Sequence, residues 1–221
     1  MDQFLFAGRA FDAFLFDVDG TLLSSIEVAE RVWTRWARKF DIDASTFLPT
    51  IHGRRAIDSV RSLNIPGIDA EKEAAEITEQ EMHDVQGIHA IRGAQEFLSS
   101  LPPHRWAIVT SAPRALALRR LDAAGLRPSS VLITAEDIVH GKPDPSCYLE
   151  AASRLGAEAG NCLVFEDATA GIRAGEAAGA SVVVITALHT QPMRTSHPKR
   201  RDFTGMRAVV RDQRLALQIT D

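Results

Sequence analysis

Apolar residues recur along the chain with two different periods. The first is short and continuous: 14–16, 106–109, 131–133, 162–165 and 182–185 are unbroken apolar runs, the pattern of strands buried on both faces in a parallel sheet. The second is helical. Ile26, Ala29, Val32, Trp33, Trp36, Ala37 and Phe40 repeat at helical spacing behind Ser24 and Glu27, which read as a capping box. Both tryptophans read as core. Ile57, Val60 and Leu63 mark a short helix, and Pro66-Gly67 breaks the chain before an acidic helix over about 69–85. Its carboxylates, Glu71, Glu73, Glu76, Glu79, Glu81 and Asp84, read as a solvated face. No strand is evident between Ser24 and His89, so this block is a helical insert between the first strand and the rest.

From Gly93 onward short apolar strands alternate with helices, the signature of βαβ units in an α/β fold. Asp144 and Pro145 cap and open a helix carrying Tyr148, Leu149, Ala152 and Leu155, which Gly156 stops. Residues 168–178 read as a small-residue helix able to lie close to the sheet. Residues 186–205 read as a long polar loop, with Lys199-Arg200-Arg201 as solvated surface, and 208–211 as a weak strand finishing an edge.

Composition narrows the class. The 221 residues suffice for one domain with an insertion or for two small ones, and 45% hydrophobic with 24% charged residues is ordinary for a soluble globular protein. A net charge of -4 gives no basis for a nucleic-acid partner. No run is apolar for long enough to span a membrane. Residues 1–10 lack a basic start, and Gly8-Arg9 interrupts their apolar run, so no secretory signal is expected. Cys147 and Cys162 read as reduced packing residues of a cytoplasmic protein.

The chemistry lies where the strands end. The first run stops at Asp17-Val18-Asp19-Gly20-Thr21, two carboxylates one residue apart, and ligands of open α/β sheets bind beyond the carboxyl ends of the strands. Two such charges repel unless a cation lies between them, and hard oxygen ligands favour magnesium. Gly20 permits close backbone approach, and Thr21 offers a hydroxyl to a phosphate or a carboxylate. Thr110-Ser111-Ala112 follows the second strand, with a hydroxyl and backbone N–H groups suited to phosphate oxygens. Lys142, in Gly141-Lys142-Pro143 after the third, supplies a point charge, and Glu166-Asp167 ends the fourth with a second carboxylate pair that can complete a magnesium site. Each motif alone is an ordinary turn or cap; all four at one sheet edge make a site.

With these motifs, Asp17-Val18-Asp19-Gly20-Thr21, Thr110-Ser111, Lys142-Pro143 and Glu166-Asp167, the chain resembles the haloacid-dehalogenase-like hydrolases, in the subgroup with a helical cap. It is most similar there to sugar phosphatases and beta-phosphoglucomutases. The resemblance implies a Rossmann-like parallel-sheet core over 1–21 and 91–221 with a helical cap over 22–90. It also implies a magnesium-dependent phosphatase acting on a small phosphorylated sugar or sugar alcohol, as a monomer. Asp17 is the implied nucleophile and Asp19 the acid/base, while Ser111 with Thr110, Ala112 and Lys142 hold the phosphoryl group. Magnesium would sit on Asp17, Asp167 and the Asp19 carbonyl, with Glu166 reaching it through water. The cap loop His52-Gly53-Arg54-Arg55 is expected to read the substrate. One departure is that Ser24-Ser25 stands where the family commonly has Asp-Ser. Another is Ala29, which matches a histidine that takes part in gating in the mutases. Two rivals follow, a phosphoglucomutase and a non-enzymatic phospho-accepting signalling domain.

Overall fold

The computed structural model describes residues 3–7 and 9–220. Two short strands, β1 (Gln3–Phe4) and β2 (Ala10–Phe11), precede β3 (Ala13–Phe16). The strand expected to come first is therefore the third in the chain, and the first of the parallel sheet. After β3 the chain runs through β4 (Leu23–Ser24) into four helices, α1 (Ile26–Arg38), α2 (Ala44–Phe47), α3 (Ala56–Ser62) and α4 (Ala70–His83). It returns through β5 (His89–Ala90), α5 (Ala94–Ser99), β6 (Trp106–Val109), α6 (Arg114–Ala123) and β7 (Leu132–Ile133). Next come α7 (Ser146–Arg154), β8 (Cys162–Glu166), α8 (Thr169–Ala177) and β9 (Ser181–Ile185). The chain closes with β10 (Lys199–Arg200), β11 (Met206–Arg211) and β12 (Arg214–Ile219).

Six strands form one parallel sheet in the order β10-β9-β8-β3-β6-β7. Alternation along each strand divides its apolar run between two cores. Phe14 and Phe16 pack with Phe97, Phe165 and Phe203 on one face, where the rings of Phe16 and Phe165 stack at 4.6 Å between centroids. Leu15, Val109, Val164 and Tyr148 pack on the other face. Burial on both faces is what makes the strands read as continuous apolar runs. The helices after β4 have a core of their own, in which Val32, Trp33, Trp36, Phe47, Val60 and Ile77 meet. Among the described residues, no helix is long and apolar enough to cross a membrane.

Several local expectations need correction. Ser24 and Glu27 form no capping box: Ser24 lies in β4, and the N-cap of α1 is Ser25, whose hydroxyl makes no cap hydrogen bond. Strand pairing takes Ser24 because β4 and β5 form an antiparallel ribbon, Leu23 opposite Ala90 and Ser24 opposite His89. The Ser24 hydroxyl donates to the Gly87 carbonyl at 3.1 Å and accepts the His89 N–H at 3.2 Å, so the two crossings between sheet and insert are tied side by side. Asp144 is not the N-cap of α7, which is Pro145; its carboxylate instead accepts from the backbone N–H and hydroxyl of Ser146. Lys199 and Arg200 are the edge strand of the parallel sheet, paired with Val184 and Ile185. The 208–211 strand joins a hairpin with β12, which also pairs with β1 and β2 in a separate antiparallel sheet. Cys147 and Cys162 are unpaired and buried, and burial pushes their thiols up to about 11 and about 12.

The turn after β7 is held by a capping box between Thr134 and Asp137. Burial opposes the Asp137 charge, but the Thr134 hydroxyl and N–H and the Arg154 guanidinium outweigh it and hold the carboxyl at about 2, against an ordinary 3.8. Because the folded value lies below the unfolded one, the stabilisation is complete above about pH 4 and is lost as pH falls toward 2. It amounts to about 2 kcal/mol. Asp137→Asn is expected to lower unfolding free energy by about 1–2 kcal/mol at neutral pH and to flatten its acid limb. Urea titrations at several pH values check this; an unchanged acid limb would refute the assignment.

Candidate active site

The four strand-end motifs meet at one edge of the sheet. β3 runs into Asp17, β6 into Thr110 and Ser111, and β8 ends in Glu166 just before Asp167; these are three adjacent interior strands of the parallel sheet. Lys142 reaches in from the loop between β7 and α7 and is buried. Its ammonium donates to Asp17 Oδ1 at 2.6 Å, to Glu166 Oε1 at 2.7 Å and to the Val109 carbonyl at 3.3 Å. All three of its donors are thereby engaged.

Glu166 is the most fully satisfied carboxylate of the group. Oε1 also accepts from the Tyr148 hydroxyl at 2.8 Å, and Oε2 accepts the N–H groups of Asp167 and Ala168 at 3.0 and 3.1 Å. It fixes Lys142 and the turn into α8. Asp167 lies beside it and accepts from the Thr21 hydroxyl at 3.3 Å, the second of the two partners expected for Thr21. Gly20 is required here: its φ is +92°, and a Cβ at this position would lie 2.0 Å from Asp167 Oδ2.

Asp17, Glu166 and Asp167 each offer an oxygen, all within 4.8 Å of one another, so the cluster can hold a metal ion. The electrostatics favour a cation there, since one ammonium faces three buried carboxylates. Burial and the neighbouring Glu166 push the Asp17 carboxyl up to about 7 despite Lys142, and burial with Asp17 and Glu166 pushes Asp167 well above the carboxylate range. Burial works against the Lys142 charge, but Asp17 and Glu166 prevail and hold its pKa above the ordinary lysine value.

Asp19 stands outside this cluster. Its Oδ1 accepts from the Ser25 hydroxyl at 2.5 Å and from Arg120 Nη1 at 2.9 Å, and Oδ2 makes only a long contact, 3.5 Å, with the Thr110 hydroxyl. Thr110 in turn accepts the Ala112 N–H at 3.1 Å. Ser111 donates to the Gly53 carbonyl at 2.9 Å, so the insert's loop closes directly over the end of β6. Gly53 makes that closure possible, with φ +73° and a would-be Cβ 2.8 Å from the Ala168 Cβ.

The cap-loop residues separate into two groups. His52 and Arg54 line the cleft with Ala29, Trp33, Asp17 and Asp19, and His52 Nε2 lies 3.7 Å from Glu30. Arg55, expected to read substrate, instead pairs with Asp58 at 2.7 and 3.0 Å and donates to the Ile138 carbonyl at 3.4 Å, pinning the insert to the core. Its neighbour Asp58 is a nearer partner than anything in the cleft.

Sequence reasoning missed Ser25, Tyr148, Arg120 and Glu81. Glu81, assigned to a solvated face, is buried and pairs with Arg120 at 3.2 Å. Tyr148 was legible only as an apolar position of α7, which its ring does occupy.

The haloacid dehalogenase-like hydrolase family matches residues 11–179, a span that contains all four motifs. The chain belongs to this family. It is 41% identical over 179 residues to hexitol phosphatase A of Escherichia coli, covering 79% of this chain and 82% of the relative. It is 34% identical over 187 residues to glycerol-1-phosphate phosphohydrolase 1 of Saccharomyces cerevisiae, covering 79% and 74%. A crystal structure of a hydrolase from Pseudomonas syringae superposes with a TM-score of 0.72 at 28% identity, over 79% of this chain and 84% of that one. Haloacid dehalogenase-like membership thus rests on the core strands and on the insert together.

Proposed function

We propose that this protein is a magnesium-dependent phosphatase that hydrolyses small sugar or sugar-alcohol phosphates through an aspartyl phosphate on Asp17. The observation that carries the reading is the buried Asp17–Lys142–Glu166 arrangement beside Asp167, at a sheet edge roofed by helices. Relatives named for hexitol and glycerol phosphates support the substrate class. The core would comprise 1–21 and 91–221, the cap 22–90. Two buried, unpaired thiols are in keeping with a cytoplasmic enzyme, which we take to act as a monomer.

Asp17, held in orientation by Lys142, attacks phosphorus as the bond to the leaving alcohol breaks, and Asp19 gives that oxygen its proton. Water then attacks the phosphorus of the aspartyl phosphate, Asp19 takes its proton, and the bond to Asp17 breaks. The hydroxyls of Ser111 and Thr110 hold the phosphoryl oxygens, together with Lys142 once its ammonium exchanges the long 3.3 Å bond to the Val109 carbonyl for one of them. Asp17, Asp167 and the Asp19 carbonyl would hold magnesium, with Glu166 acting through water since its oxygens are engaged by Lys142, Tyr148 and two backbone N–H groups. Bound there, magnesium would supply positive charge against the transferring phosphoryl group.

The cleft encloses about 80 Å³, well below the roughly 300–1,000 Å³ of ordinary small-molecule sites. Movement of the cap on the β4–β5 ribbon would enlarge it, and a wider cavity of about 1010 Å³ adjoins it past His52, Arg54 and Asp167. Ala29 faces the cleft without a side-chain donor or acceptor, which favours release of phosphate over interconversion of phosphosugars.

The test is turnover of hexitol, glycerol and hexose phosphates with magnesium and with a chelator. Phosphate release that needs magnesium is expected, with glucose 1-phosphate yielding free phosphate faster than glucose 6-phosphate. Metal-independent turnover, or none on any ester, would overturn the reading. Faster glucose 6-phosphate formation would make the protein a mutase.

A further inference from the structure

Among the described residues, Arg120 is the one buried cation of the cleft that the reaction above leaves without a task. It lies on α6, in the core, and is 5% exposed. Nη1 donates to Asp19 Oδ1 at 2.9 Å and Nη2 pairs with Glu81 Oε2 at 3.2 Å, while its buried Nε has no partner among the described residues. Glu81 is 6% exposed and belongs to α4, in the helical insert. Ser25, at the start of α1, gives Oδ1 its second donor at 2.5 Å. A guanidinium removed from water is costly unless paired, and here it is held between two carboxylates from opposite sides of the cleft.

We propose that Arg120 is a positioning residue for the acid/base carboxylate Asp19, and that Glu81 makes this positioning depend on the closed insert. The inference rests on the phosphatase reading above. Two donors fix Oδ1, which leaves Oδ2, with its single long contact to Thr110, as the oxygen that carries the proton. When the ester oxygen leaves phosphorus with the bonding pair, the proton on Oδ2 moves to it and the new bond joins phosphorus to Asp17. Glu81 both aims the guanidinium and offsets its charge. Movement of α4 away from α6 takes Glu81 from Arg120 and frees the guanidinium to turn, so the acid is aimed best with the insert closed.

Leaving-group dependence distinguishes this role from a structural one. An alkyl phosphate needs a proton on its departing oxygen; p-nitrophenyl phosphate, whose phenolate leaves readily, does not. Arg120→Met is expected to lower kcat/KM on glycerol 1-phosphate about 100-fold and on p-nitrophenyl phosphate less than about fivefold. Arg120→Lys should recover part of the alkyl activity, and Glu81→Gln should show a smaller loss with the same selectivity. Equal losses on both esters, or no loss on either, would overturn the proposal. If circular dichroism shows Arg120→Met unfolded, the selectivity of Glu81→Gln decides the matter alone. Wild-type protein that turns over neither ester would instead remove the phosphatase reading, and this inference with it.

Discussion

Asp17→Asn is expected to lower turnover by at least about 10⁴-fold, the scale on which losing a covalent nucleophile is felt, while the protein remains folded. Asparagine keeps the shape of the side chain and can still accept from Lys142, but it cannot form the acyl phosphate. The stability of the variant carries information too. The Asp17 carboxyl is pushed up to about 7 by burial and Glu166, so its ionisation opposes folding in metal-free buffer. A raised folded value means that stability falls as pH rises through the interval from 3.8 to about 7. Asparagine has no charge to ionise, so at neutral pH without metal its melting temperature should equal or exceed that of the wild type. Phosphate release and calorimetry on the same preparation check both statements. Near-normal turnover would exclude Asp17 as the nucleophile.

Lys142→Met should have the largest effect on stability. The ammonium is buried between Asp17 and Glu166 at 2.6 and 2.7 Å, and methionine leaves two carboxylates, with Asp167 beside them, without a cation. Removing one partner of a buried pair costs about 3–5 kcal/mol. Turnover should fall by about 10³-fold or more, because Asp17 loses its orientation and the phosphoryl group a charge. Without the lysine, Asp17 and Asp167 lose the charge that lowers them and bind protons more readily in the folded state. The stability deficit should therefore shrink as pH falls from 7 toward about 5. Denaturant titrations at those two values, with magnesium absent, test this. A deficit that stays constant with pH would mean that the loss is one of packing rather than of charge.

Sequence alone reached the four motifs at the sheet edge, and the reason is physical. A strand buried on both faces must be apolar throughout, so polar and charged groups appear only where the strand leaves the sheet, as at Asp17, Thr110 and Glu166. Those positions are tied to strand ends by local chain geometry. The insert was legible for a similar reason, since the period changes from continuous to helical after Leu22. The last hairpin was only half legible. In β11 the apolar residues are flanked by Arg207 and Arg211 and half of the strand is exposed, and β12 is recognisable only through its three partners β1, β2 and β11. The Ser24–Glu27 pair shows a related failure. Its spacing fits a capping box, but pairing with His89 and Gly87, more than sixty residues away, takes the serine first.

Charged residues on helices are where the sequence stops being sufficient. Glu81 sits among six acidic positions of one stretch, and Arg120 follows another arginine on α6; either would be solvated on an isolated helix. Their burial arises because α4 lies on α6 and sets Arg120 between Glu81 and Asp19, residues 39 and 101 positions away from it. Likewise Arg55 is drawn to Asp58 and the Ile138 carbonyl by the way the insert meets the core. The sequence by itself determined the sheet, the position of the insert and the acids and lysine at the sheet edge, because these depend on periodicity and on where strands end. Which charges face the cleft, and which carboxylate each cation holds, was decided only by the packing of insert against core, because burial of a charge depends on what lies opposite it.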